Sequence, residues 1–116
     1  MKLKLDNIGG SIIKDNETYT LKDNNFLNNL TLSQTYLKPG QATRGHSHDN
    51  QEEVYTFTRG NGTMVIGEVE HDALPGDTFL IKAGNFHRVI NKSDLEPCVF
   101  TCVFEKYDRN SDVAKY

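Results

Sequence analysis

The chain lacks the features that mark a membrane-bound, secreted or nucleic-acid-binding protein. It carries 13 Lys and Arg against 16 Asp and Glu, so its net charge is −3, which argues against electrostatic binding to DNA, RNA or an anionic membrane. No stretch approaches the roughly 20 apolar residues of a membrane span, and MKLKLDNIGG lacks the apolar run of a signal peptide. We therefore expect a cytoplasmic protein with no nucleic-acid or membrane partner.

Cysteine is scarce, and Cys98 and Cys102 both lie in the segment PCVFTCVFE. This segment has the composition of a strand, in which their Cα atoms would be roughly 13 Å apart. A disulfide needs less than about 7 Å, so the two residues cannot be bridged within an extended segment. Their even spacing puts both on one face of the strand, and we predict two small, buried, apolar side chains.

Helical periodicity is absent as well, since no segment keeps a 3.6-residue apolar period for three turns. Short β-like runs instead alternate with Gly, Asn, Asp and Pro. The predicted strands are Ser11–Lys14, Thr18–Lys22, Leu30–Leu37, Thr43–His48, Glu53–Thr58, Thr63–Ile66, Thr78–Ile81, His87–Asn91 and Cys98–Phe104. Many short antiparallel strands in 116 residues predict one all-β domain, either a closed barrel or a jelly-roll sandwich.

What the chain does have is a concentration of histidines in two glycine-punctuated segments. His46 and His48 are two residues apart, so on a strand their side chains point to the same face, as in a metal site. If the strands are regular and the histidines face inwards, the cavity is lined by Arg44, His46, His48, Glu53, Tyr55, His87 and Asn91. Arg88 would face outwards. We expect Asn91 to cap or turn a strand end instead of contacting a ligand.

These residues carry a resemblance to the cupin superfamily. Residues 40–60 match its first motif, G(X)5HXH(X)3–4E(X)6G, and residues 76–91 match its second, G(X)5PXG(X)2H(X)3N, except that Lys82 stands where Pro is usual. The resemblance implies a single-domain cupin over residues 1–116, built as an antiparallel jelly-roll β-barrel. Residues 1–29 would supply N-terminal strands, and residues 106–116 would form a polar tail.

The resemblance also implies a metal centre with four protein ligands, which are His46, His48, Glu53 and His87. Three imidazoles and one carboxylate suit a divalent Fe, Mn, Ni, Co, Cu or Zn ion, and the residue types do not choose among these metals. An octahedral ion held in this way keeps two open positions, as reactive sites do. Glu52 is the competing carboxylate, but it misses the spacing to Gly60. His71 fits neither motif, and we expect it to be exposed.

A finer resemblance links the segments TRGHSH, EEVY, GNGTM, LPGDTFLI, HRVIN and EPCVF to the cupin-type phosphoglucose isomerases. Thr43 and Tyr55 carry over from that family with the four ligands, whereas Phe104 aligns with a pocket tyrosine. The implied activity is isomerisation of a sugar-like or phosphorylated hydroxy-carbonyl compound through a metal-stabilised enediolate. Glu53 and Tyr55 are then the predicted catalytic residues.

Three further residues are predicted to bind the substrate, namely Thr43, Arg44 and Lys82. The two cations among them could hold a phosphate or a carboxylate.

Other activities remain compatible with the same ligand set. An Fe- or Ni-dependent dioxygenase would use the two open positions for a chelating substrate and O2, and lyase or cyclase chemistry uses the same Lewis acidity. A non-catalytic cupin that binds a small ligand is the third class. The resemblance also implies a homodimer, for which the segments KLKL and SIIK are the candidate exchanged edge.

Overall fold

The computed structural model describes residues 1–107, and within that range every regular element is a β-strand. The strands are β1 (Ser11–Asp15), β2 (Tyr19–Asn24), β3 (Leu30–Leu37), β4 (Glu53–Arg59), β5 (Gly62–Ile66), β6 (Val69–Ala73), β7 (Thr78–Ile81), β8 (His87–Asn91) and β9 (Cys98–Glu105). The predicted polar tail 106–116 therefore lies outside the described residues except for Lys106 and Tyr107. In the described part of the chain, no helix is long and apolar enough to span a membrane.

The strands form two antiparallel sheets. The larger sheet has the order β1-β2-β3-β9-β4-β7, and the smaller one has the order β6-β5-β8. Neighbours in the larger sheet come from distant parts of the chain, as when β3 and β4 both pair with β9. The two predicted motif segments meet through the pairing of β4 with β7 and through the bridges from Ala42 to Ile90 and from His46 to His87. The two antiparallel sheets confirm the all-β jelly-roll class.

Most strand predictions are confirmed, and β3, β7 and β8 have the predicted bounds. The prediction missed β6, whose sequence VEHDA is polar and exposed except at Ala73. This strand exists because it pairs with β5 across the tight turn at Gly67, which has a φ of 62°. Pairing with β5 therefore stabilises β6, although the sequence of β6 has no apolar pattern that would predict a strand.

The predicted strand Thr43–His48 is wrong. Only isolated bridges occur here, from Ala42 to Ile90 and from His46 to His87. The cause is Gly45, whose φ of 87° lies in the left-handed region and breaks the alternation of side chains.

Gly45 also lies too close to its neighbours for a side chain. A Cβ at this position would come within 2.5 Å of Cζ of Phe86 and 2.9 Å of Cβ of Arg88. Because the alternation shifts here, Thr43 is buried and Arg44 is exposed, so the predicted inward position of Arg44 is wrong. On β8 the alternation is kept, and half-buried Arg88 lies on the outer face between the buried side chains of His87 and Val89, as predicted.

The core lies between the two sheets, and its largest rings form a connected group. Phe57 lies 5.1 Å from Phe100 and 5.7 Å from Phe79, measured between ring centroids, and Tyr55 stacks on Phe100 at 5.5 Å. Met64 from the smaller sheet is fully buried and belongs to the same cluster. Burial of these side chains supplies the apolar contribution to stability, at about 25 cal/mol per Å².

Two other predictions about side chains in the fold are confirmed. Cys98 and Cys102 are free and buried on the inner face of β9. Asn91 is buried, and its amide nitrogen lies within 3.2 Å of the carbonyl oxygens of Leu37 and Lys38 and 2.9 Å from that of Glu96. Asn91 therefore ties the end of β8 to the neighbouring loops, as its predicted capping role requires.

Candidate metal centre

Three of the four predicted ligands converge at one end of the barrel. His46, Glu53 and His87 each offer one ligand atom, and these atoms lie within 4.8 Å of one another. Glu53 begins β4 and His87 begins β8. His46 is held beside His87 by a reciprocal pair of backbone hydrogen bonds, each 3.0 Å long. Their ring centroids are therefore only 4.4 Å apart.

The orientation of the His87 ring indicates which nitrogen faces the cluster. Its Nδ1 lies 2.9 Å from the carbonyl oxygen of Asn85, which can only accept, so Nδ1 carries the proton. In a neutral ring, Nε2 then presents a lone pair, and this atom lies 2.5 Å from Oε2 of Glu53. A lone pair facing a carboxylate is repulsive unless a proton or a metal cation lies between them.

The electrostatics of Glu53 agree with a site built for positive charge. The side chain is almost fully buried, and burial alone raises the pKa of a carboxyl group. The adjacent imidazoles of His46 and His87 outweigh this effect and hold the pKa of Glu53 far below its usual range. Glu53 is therefore ionised, as a metal ligand must be.

The donor set fits a transition metal. Oε2 of Glu53 and Nε2 of His87 are buried atoms for which the protein provides no hydrogen bond of regular geometry. Two imidazoles and one carboxylate are donors that Fe, Ni, Cu and Zn accept. These three residues could hold a metal ion, whose identity the residue types leave open.

His48, the fourth predicted ligand, lies beside this cluster but not in it. Its ring centroid is 4.5 Å from that of His46, yet His48 is not one of the residues whose ligand atoms lie within 4.8 Å of one another. Its Nε2 instead lies 3.5 Å from the hydroxyl of Tyr107. Coordination by His48 therefore stays a prediction.

The other oxygen of Glu53 has a partner on β9. The thiol of Cys102 donates to Oε1 of Glu53 across 3.7 Å. This contact leaves Oε2 directed at the two imidazoles. Cys102 is thus a buried thiol beside the cluster, a placement that the prediction of a small, buried, apolar side chain did not include.

The predicted catalytic and substrate residues occupy different surroundings. Tyr55 is buried at 5.4 Å from the ring of His87. Thr43 is also buried, and its hydroxyl accepts a hydrogen bond from the backbone of Val89 at 2.9 Å. Arg44 and Lys82 are exposed. The roles of these four residues in catalysis and substrate binding stay predictions.

Sequence reasoning missed Tyr107, which it assigned to a polar tail. Tyr107 is half-buried, packs against the core, and lies 5.6 Å from the ring of Phe104 and 5.2 Å from that of His48. The one available signal was an aromatic residue two positions after the last strand, in the otherwise polar run EKYDRN. Its partner His48 is 59 residues away in sequence.

A surface cavity of about 610 Å³ reaches this end of the sheet. Its lining includes Glu53 and Phe104 together with the carboxylate residues Glu52 and Glu105. The volume lies within the range of small-molecule sites. Because the lining includes three carboxylates, the side-chain charge around this cavity is negative.

Comparison with known proteins agrees with the fold and the motifs. The family model described as "Cupin domain" matches residues 34–104, which is more than half of the chain. The chain belongs to the cupin family.

Three relatives are similar to this chain. Glucose-6-phosphate isomerase of Pyrococcus abyssi is 28% identical over 101 residues, which are 76% of this chain and 53% of the relative. A structure described as a sugar phosphate isomerase of the cupin superfamily, from Silicibacter pomeroyi, is 26% identical with a TM-score of 0.75, covering 92% of this chain and 76% of that one.

The third, TT1209 from Thermus thermophilus, is 26% identical with a TM-score of 0.71, covering 78% of this chain and 86% of that one. The chain thus spans about half the length of its curated relative.

Proposed function

We propose that this cupin is a metal-dependent isomerase of a small, sugar-like or phosphorylated hydroxy-carbonyl compound. The observation that carries the proposal is the buried cluster of His46, Glu53 and His87, whose ligand atoms converge within 4.8 Å. The likeness to two proteins named as sugar phosphate isomerases supports the choice of reaction. When bound, a divalent ion supplies the Lewis acidity that such an isomerisation needs.

The chain's own residues would hold the ion and shape its surroundings. His46 and His87 supply imidazole nitrogens, and the contact of His87 with Asn85 fixes the ring tautomer. Glu53 supplies a carboxylate. Its lowered pKa makes Glu53 a weak base, so its predicted role as a proton shuttle requires that substrate binding raise this pKa.

Four residues beyond the ligands have roles in the proposed site. Tyr55 stacks on Phe100 and contacts the ring of His87 edge-on, so it would fix the orientation of the His87 ring. Thr43, Arg44 and Lys82 remain candidates for binding the substrate. The carboxylates of Glu52 and Glu105 in the nearby cavity favour an uncharged hydroxy-carbonyl compound over a phosphorylated one.

The test is an exchange experiment that does not require the native substrate to be known. Metal-loaded protein is incubated without oxygen in deuterated water with phosphorylated and unphosphorylated aldoses and ketoses. Deuterium should enter at the carbon beside the carbonyl, and His87→Ala should abolish this exchange. His71→Ala is the matched control, because His71 is an exposed histidine on β6.

Two outcomes would overturn the isomerase. Turnover that occurs only with oxygen would indicate a dioxygenase instead. Metal binding without any exchange or turnover across the series would indicate a ligand-binding cupin.

We also infer a homodimer that forms through the N-terminal edge. β1 is an outer strand of the larger sheet, and Ile12 on this strand is 61% exposed. An edge strand with an exposed apolar side chain favours pairing with a second copy. Light scattering should give twice the chain mass, and Ile12→Lys should shift the protein towards the monomer. A wild-type monomer at all concentrations would contradict the inference.

A further inference from the structure

A β-bulge places two arginine residues beside each other on the surface of the barrel. Ala42 pairs with Ile90, and His46 pairs with His87. Three residues separate the paired positions on the segment before β4, whereas two residues separate them on β8. The segment before β4 thus contains one residue more than its partner strand, which is the definition of a bulge.

Backbone contacts locate the extra residue. The amide of Thr43 donates a hydrogen bond of 2.9 Å to the carbonyl oxygen of Val89, so these two residues lie side by side. Arg44 and Gly45 are then both opposite Arg88. The packing agrees with this register, because a Cβ at Gly45 would come within 2.9 Å of Cβ of Arg88. The bulge therefore makes the two arginines neighbours across the strands.

Both arginine side chains lie on the outer face. Arg88 is half-buried between the buried side chains of His87 and Val89, so it points away from the barrel interior. On the other segment, Thr43 is buried and Arg44 is exposed. Residues opposite each other have Cβ atoms about 5 Å apart, a separation that two long guanidinium side chains can span to meet one ligand.

The positive charge of Arg88 has no protein counterpart within residues 1–107. Its Nε is a buried atom without a hydrogen-bond partner, and no ion pair joins Arg88 to a carboxylate in that range. By register, Glu70 lies two strands away across Val65, with roughly 10 Å between the Cα atoms. Like charges opposite each other destabilise a strand pair, and a buried donor without a partner costs further free energy. An anion bound by both arginines would offset both costs.

We propose that Arg44 and Arg88 form a binding site for a phosphate group on the outer surface of the barrel. Guanidinium groups bind phosphate oxygens through pairs of charge-assisted hydrogen bonds. The exposure of Arg44 leaves the site open to solvent. Because His46 and His87 belong to the metal cluster inside the barrel, a phosphate bound outside does not use the positions of the metal. The inference is therefore independent of the proposed isomerase.

A titration of the full chain with inorganic phosphate at constant ionic strength tests the site. The readout is the ¹H–¹⁵N signals of the arginine Nε–H groups. The signals of Arg44 and Arg88 should shift together and give one dissociation constant. A parallel titration with methyl phosphate distinguishes the two sources of the group, because tighter binding of methyl phosphate indicates a phosphate ester and tighter binding of inorganic phosphate indicates the free ion.

Substitution by lysine separates a built site from general attraction by positive charge. Arg88→Lys keeps the charge but loses the planar fork of donors, so the affinity for phosphate should fall by roughly 10-fold. Arg44→Lys should have a similar effect, and its exposed position makes it a second variant in which the fold is not at risk. Arg59→Lys is the matched control, because Arg59 is exposed on β4 and lies 3.5 Å from Glu96.

The outcomes decide the proposal. Retained affinity in both Arg44→Lys and Arg88→Lys, or an equal loss in Arg59→Lys, would show that phosphate responds only to net charge and would overturn the site. Shifts at the ring nitrogens of His46 and His87 without shifts at the arginines would place the phosphate at the metal centre, which would also overturn it. Arginine shifts in a protein that isomerises no sugar would keep the phosphate site and reject only the isomerase.

Discussion

The two ends of the barrel interior differ sharply although the same strands line both. Along β4, Glu53 lies in the metal cluster, while Phe57, four residues on, packs against Phe79 and Phe100. Strand β9 repeats this gradient, with Cys102 beside Glu53 and fully buried Cys98 at the other end. One end therefore collects polar ligand atoms, and the other is filled with apolar side chains.

This difference separates what stabilises the fold from what serves the site. Burying the carboxylate of Glu53 costs free energy that the adjacent imidazoles of His46 and His87 have to offset, whereas burial of Phe57 is favourable without such partners. Because the alternation of strands fixes which side chains face inwards, a step of four residues along β4 or β9 leads from the polar end to the apolar end. Substitutions at the two ends should therefore have different effects.

The largest expected effect is at the polar end. His46→Ala or His87→Ala should reduce the bound metal from close to one divalent ion per chain to none, because each removes one of three converging ligand atoms. Elemental analysis of purified protein measures this. His71→Ala should keep the metal. Full metal content in either cluster variant would show that the ion binds elsewhere.

The filled end should respond in the opposite way. Phe57 is 1% exposed, so Phe57→Ala should lower the free energy of unfolding by about 3–5 kcal/mol. Denaturant titration measures this loss, and the folded fraction should still bind metal at wild-type stoichiometry. Phe26→Ala is a matched control, because Phe26 is 57% exposed. A loss of metal with unchanged stability in Phe57→Ala would contradict the separation of the two ends.

The sequence could predict most of the fold because turn residues bound its strands. β3, β7 and β8 have the predicted bounds, and their short apolar runs end at Asn, Pro or Gly. Strand β6 could not be predicted from its own residues, since its order comes from pairing with β5. Local patterns indicate a strand only where the strand itself alternates or is buried.

The site was predicted through the spacing of its ligands, and errors arose where backbone geometry or distance in sequence intervened. The left-handed Gly45 moved Arg44 to an exposed position, which no regular alternation could indicate. Tyr107 meets His48 across 59 residues, so no short motif contains both. Long-range packing of this kind depends on how β9 crosses the sheet.

The smallest expected effect compares the two cysteines of β9. Burial raises the pKa of the Cys98 thiol from 9.0 to about 11, so the folded state favours the protonated form. The contribution of the Cys98 thiol to the free energy of unfolding is fully present below pH 9 and is lost as the pH rises towards 11. Over this range the free energy of unfolding should fall by about 3 kcal/mol because of Cys98.

Denaturant titrations between pH 8 and pH 11 on the wild type and Cys98→Ala measure this contribution, because the variant lacks the titrating thiol. Its stability should decline less steeply with pH than that of the wild type. Cys102→Ala should keep the wild-type contribution from Cys98, since Cys102 lies at the polar end beside Glu53. Equal slopes for the wild type and Cys98→Ala would mean that the filled end admits water to Cys98, and the contrast between the two ends would then fail at β9.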